Sequence, residues 1–239
     1  MKRKISFPGK YNWVVLFGIT MGIFEAAVVV YLRAIFYPEG FDFPLAAMDG
    51  KLLTTEVLRE IASLIMILSV AFIAAKKFSS RFGIFILIFA CWDISYYIFL
   101  KILLNWPLSL LTWDVLFLIP VTWTGPVISP ILISCIMILW GSSIIFFNKK
   151  EQISTLEKTD WIGLITGAFI VFLAFIWDYL RFIAQNNQYP LFQKGFWDNL
   201  EQLSLQYEPH NFPWLLFLIG IAVLLAGWIN YYRRIRKKQ

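Results

Sequence analysis

The chain is poor in charge: only 15% of its 239 residues are Asp, Glu, Lys or Arg, against 59% that are hydrophobic. A soluble domain of this length needs more polar surface, so the bilayer must act as its solvent. Histidine is scarcer still. The single His210 excludes bis-histidine haem ligation, histidine-rich di-iron centres and Ser/His hydrolase chemistry. Cys91 and Cys135 are the only cysteines; they lie in apolar runs without metal-ligand spacing or a thiol motif and read as core filling. The sequence therefore calls for no cofactor and no metal.

What is abundant is apolar sequence of lipid length. Runs of about 20 apolar residues recur six times, at roughly 12–33, 53–75, 82–104, 129–147, 161–183 and 213–232. The longest connection, about 184–212, has some 29 residues, too few for a soluble domain, so residues 1–239 read as one integral membrane domain. The connections are strongly one-sided in charge. Fifteen of the 21 basic residues flank one set of helix ends, from Lys2 and Lys10 through Lys76, Arg81 and Lys149 to Arg233 and Lys238. Twelve of the 15 acids lie in the spans or on the other side, leaving only Glu151, Glu157 and Asp160 in basic loops. Because Lys and Arg accumulate on the cytoplasmic side, both termini are expected there. The net charge of +6 does not indicate nucleic acid, since these cations hug helix ends where anionic lipid accounts for them. Met1–Lys4 and the run that follows mimic a signal peptide, but the run is too long, contains Glu25 and lacks a small-x-small cleavage site; it is expected to remain as the first helix.

Two connections have patterns of their own. Residues 106–126 are apolar yet short and broken, which predicts a re-entrant or interfacial element between the third and fourth spans. Asn105 with Pro107 reads as a helix start, and Pro120 as its end near Leu118; a plain loop with a belt of Trp106, Trp113 and Trp123 is the alternative. In about 191–206, Phe192, Phe196, Leu200 and Leu203 recur at helical spacing, which predicts an interfacial helix. Trp13–Arg33 and Trp161–Arg181 also echo one another, each with Gly-x-x-x-Gly and a terminal Tyr-Leu-Arg.

The candidate chemistry is carboxylate chemistry inside the spans. A charge at the bilayer centre costs about 3 kcal/mol on insertion scales, so such residues face a bundle interior or a wet cavity. Glu25 shares a stripe with Gly18 and Gly22, which lets a second helix approach and covers the carboxylate. Glu56, Arg59, Glu60 and Ser63 share a helix face, as do Asp93, Tyr97 and Lys101. Asp178 lies near Arg181, and the irregular element carries Asp114. An outward-facing pocket for a substrate or ion is expected around Glu25, Arg59, Glu60, Asp93, Tyr97 and Asp114. The bland counterpart is a set of buried ion pairs fixing helix register, such as Glu25 with Arg59 or Asp93 with Lys101. Oxygen-only ligands would suit hard cations better than zinc or copper.

Three segments, Glu25-Ala-Ala-Val-Val-Val-Tyr-Leu-Arg33, Trp92-Asp-Ile-Ser-Tyr-Tyr97 and Trp113-Asp-Val-Leu-Phe-Leu-Ile-Pro120, resemble a group of uncharacterised bacterial integral membrane proteins. The resemblance implies a bacterial plasma (inner) membrane location and carries over no activity. The expectation is thus an all-α, six-transmembrane-helix bundle with a re-entrant element between helices 3 and 4. Its surroundings are lipid, with membrane-protein partners or a homo-oligomer possible. Transport of a small solute or ion leads, a non-catalytic subunit of a larger membrane complex comes second, and an acid-base enzyme on a lipid-soluble substrate third. Asp93 and Asp178 each follow a tryptophan, so the Gly-x-Gly-Asp pattern of intramembrane aspartyl proteases is absent.

Overall fold

Glycine contacts set how the helices meet. The computed structural model describes residues 9–149, 156–187, 199 and 202–237. It contains helices α1 (Lys10–Phe36), α2 (Gly50–Ala74), α3 (Phe78–Leu104), α4 (Ile128–Lys149), α5 (Lys158–Asn186) and α6 (Trp214–Lys237). All six are long and apolar enough to cross a membrane, and the protein is a multi-pass, all-α membrane bundle. Lengths of 22 to 29 residues correspond to about 33 to 44 Å, more than the roughly 30 Å of a hydrocarbon core.

α1 lies on α3 at Gly18, where a Cβ would stand 2.7 Å from that of Cys91, and at Gly22, against Ser95 and the Trp92 carbonyl. α3 meets α4 where Gly141 faces the carbonyl of Gly83. α5 meets α6 at Gly167 and Gly220. Each crossing lets two backbones approach closely, the main source of helix cohesion in lipid. α2 rests chiefly on α3, and α5 chiefly on α6. Two indole N–H groups join α4 to α6: Trp140 donates to the Leu224 carbonyl, and Trp228 to the Leu139 carbonyl and the Ser143 hydroxyl.

The basic helix ends are also fastened. Lys10 donates to the Ala74 carbonyl, Arg81 to that of Ala75, and Arg234 pairs with Glu157 and Asp160.

The element between α3 and α4 differs from the expected helix. Asn105 ends α3 in the left-handed region at φ 53°, and residues 113–126 form an antiparallel hairpin of β1 (Trp113–Phe117) and β2 (Trp123–Pro126). Asp114 sits opposite Gly125 and Val115 opposite Thr124, with a register irregularity before Phe117. Asn is favoured at a helix start and also tolerates the left-handed C-cap, so the residue alone does not say which end it marks. Valine, threonine and the aromatic residues prefer the pleated pairing, which satisfies backbone groups among apolar helices. Trp123 reaches Phe172 at 5.0 Å between ring centres. Phe172 lies fourteen residues inside the C-terminal end of α5, about 21 Å along its axis, so the hairpin penetrates the bundle. The interfacial helix expected at 191–206 falls mostly outside the described residues; of its tail, residues 202–204 are helical.

Candidate functional site

On α1 the stripe that begins with Gly18 and Gly22 continues through Glu25, Val29 and Arg33, so the close crossing with α3 also aims two charges inward. On α2 the buried positions Glu56, Glu60, Ser63, Ile67 and Ala71 form one stripe. These faces converge. Arg59 donates from Nη1 to both Glu25 carboxylate oxygens at 2.5 Å and from Nε to Glu56 at 2.8 Å. One guanidinium thus holds two carboxylates from different helices through charge-assisted hydrogen bonds.

Glu60, one turn along from Glu56, accepts the backbone N–H of Leu118 at 3.1 and 3.2 Å. It thereby fastens the hairpin tip to α2.

A second charged group forms where the hairpin meets α1 and α3. Arg33 donates to Asp114 at 3.3 Å, and the Tyr97 hydroxyl donates to the other Asp114 oxygen at 3.2 Å. The guanidinium lies over the rings of Trp106 and Phe41, 3.8 and 4.3 Å from their centres, an arrangement its planar, weakly hydrated cation favours. Its Nη1 has no hydrogen-bond partner. Burial raises the Asp114 carboxyl to about 7, against the lowering pull of Arg33 and of the Tyr97 hydrogen bond. Asp93 accepts from the Ser134 hydroxyl at 2.8 Å, bridging α3 to α4.

The charged groups, with Tyr97 and Ser134, line one cavity of about 1110 Å³. Of the expected site residues, Glu25, Arg59, Glu60, Asp93, Tyr97 and Asp114 all border it. The cavity changes character along its length. Its charged part lies among the hairpin-side halves of α1, α2 and α3, and its other part is walled by apolar and aromatic residues such as Phe85, Phe89, Trp140, Trp161 and Phe172.

Two sequence suspicions resolve differently. Lys101 does not meet Asp93; it donates to the carbonyls of Asn105 and Pro107 and steadies the end of α3. Asp178 accepts from the Tyr207 hydroxyl and from the backbone N–H groups of His210 and Asn211. It secures the connection before α6, and burial pushes the Tyr207 hydroxyl well above the usual range, which keeps it a proton donor. His210 is exposed. The echo between α1 and α5 does not extend to their arginines, since Arg33 is buried and Arg181 exposed.

Sequence reasoning missed Arg33 and Ser134. Arg33 was legible as the continuation of the Gly18–Glu25 stripe by two further turns; Ser134 carries no signal beyond its place in an apolar run. No protein-family model, curated protein or solved structure matches the chain.

Proposed function

We propose that the protein carries a small solute or ion across a bacterial inner membrane, through a pocket entered from the hairpin side, with both termini in the cytoplasm. The observation that carries this reading is the convergence of five acids, Glu25, Glu56, Glu60, Asp93 and Asp114, with Arg33 and Arg59, on one cavity inside a membrane bundle. Intramembrane ionisable groups are retained at a cost, and those that border a cavity mark solute or proton pathways. The clustering of Lys and Arg at the opposite helix ends supports the orientation. The three segments that resemble bacterial membrane proteins support the location.

The test is flux. Purified protein in liposomes loaded with a pH-sensitive dye receives an outward pH gradient in the presence of sodium, potassium, magnesium or tetramethylammonium. Carrier activity predicts faster dissipation than in protein-free liposomes with at least one cation, lost in Glu25→Gln and Asp93→Asn. Rates equal to those of empty liposomes throughout contradict it. A stable partner copurifying in mild detergent would move the assignment to a subunit of a larger complex.

A further inference from the structure

The charged groups occupy only one part of the cavity. On α3 the lining runs from Phe82 to Tyr97, fifteen residues or about 22 Å. It is apolar over Phe82, Phe85, Ile86 and Phe89, and turns polar at Asp93 and beyond. On α5 the lining is apolar throughout, from Trp161 to Phe175. A hydrated ion or sugar gains nothing from such a wall, whereas a hydrocarbon chain does.

The charged end has a definite preference. Its five acids face two arginines, a formal excess of three negative charges when all are ionised. Arg59 is already committed to Glu25 and Glu56. Glu60 has the Leu118 N–H as its partner, and Asp93 the Ser134 hydroxyl. Beside these, among the described residues, two lining side chains leave a buried donor without an acceptor: the Trp92 indole N–H, and Nη1 of Arg33, whose side chain is 9% exposed and is the one that carries charge. Buried donors of this kind normally have a partner. α2 and α5 wall the cavity from different sides, and no extensive contact joins them among the described residues.

We infer that the cavity holds an amphiphile whose head combines an amine cation, set among Glu25, Glu60 and Asp93, with an oxygen acceptor for Arg33, its chain lying along the aromatic wall toward Trp161. This rests on the reading of the cavity as a ligand site and names the class of ligand.

The probe is a lysophosphatidylethanolamine brominated near its chain end, added to the intact protein in nanodiscs of uncharged lipid. Bromine quenches indole fluorescence on contact, and Trp161 and Trp140 stand where the chain end falls. The expected result is saturable quenching, diminished in amplitude by Trp161→Phe. It is competed by unbrominated lysophosphatidylethanolamine and not by lysophosphatidylglycerol of the same chain. Glu25→Gln combined with Glu60→Gln, and separately Arg33→Met, weaken it at least tenfold, with circular dichroism confirming that each variant is folded. Should the double variant fail to fold, Trp161→Phe and the head-group competition still decide.

Quenching that rises without saturation, or that lysophosphatidylglycerol competes equally, overturns the inference. Cation-dependent flux without saturable quenching also overturns it and leaves the carrier reading standing. Saturable quenching without flux upholds the amphiphile site and removes transport. An amine lipid released from the purified protein by the probe, detected by mass spectrometry, identifies the bilayer as its source. Its absence alongside saturable binding identifies an amphiphile arriving from the aqueous phase.

Discussion

Two arginine clusters in this protein use the same side chains for opposite ends. At the basic end, Arg234 pairs with Glu157 at 3.0 Å and with Asp160, while Glu157 and Asp160 also form the capping box that starts α5. This group ties α5 to α6, and none of its three side chains lines the cavity. In the bundle, Arg59 holds Glu25 and Glu56, but Glu60 and Asp93 stand nearby without a cation of their own, and all five border open space. A closed ion pair fixes a register; a carboxylate excess around a cavity leaves charge for a ligand to neutralise. Buried pairs alone are weak evidence for stability or function, so the distinction rests on stoichiometry and space.

The comparison breaks most severely at Arg59. Arg59→Met leaves Glu25 and Glu56 buried without their cation and is expected to cost about 3 to 5 kcal/mol, read as thermal unfolding in detergent. Adding Glu25→Gln and Glu56→Gln should restore most of that loss while abolishing ligand-dependent signals. Full recovery of those signals would contradict the site.

Asp160→Ala attacks the other cluster. It removes a cap and a partner of Arg234 together and should cost about 1 to 2 kcal/mol, with flux and quenching unchanged. Losing either activity in a folded Asp160→Ala protein would erase the distinction between the clusters.

Glu60→Gln should change stability by less than about 1 kcal/mol, because its amide oxygen still accepts the Leu118 N–H. Ligand binding should nevertheless weaken.

A further test concerns acidity. Asp114, raised to about 7 in the folded protein against roughly 4 unfolded, binds more protons folded than unfolded between those values. Its contribution to stability is thus full below about pH 4 and lost as pH rises through 7. Asp114→Asn should flatten that part of the pH–stability profile, and an unaltered slope would show that Asp114 is not its source.

How much of this was legible in the chain depends on the range of the interactions. The six helices follow from runs such as Asn12–Arg33, because lipid-length apolarity is a local property. Glu25 was legible for the same reason: a glycine stripe and a carboxylate on one helix face imply a covered charge. The hairpin was not, since pairing Asp114 with Gly125 depends on cover supplied by α4 and α5, and Asn105 serves either helix end. Arg33 and Asp114 meet across 81 residues, a distance at which no local pattern speaks. Asp93 and Lys101 share a helix face, yet the nearest carbonyls of the α3 terminus take the lysine.

The most direct test of the contrast is carboxyl labelling. Protein in nanodiscs is treated with dicyclohexylcarbodiimide, with and without lysophosphatidylethanolamine, and the modified peptides are mapped by mass spectrometry. Adducts are expected at Glu25, Glu60 or Asp93 that the amphiphile suppresses, and none at Asp160. Equal labelling of Asp160, or cavity adducts that the amphiphile leaves untouched, would contradict it.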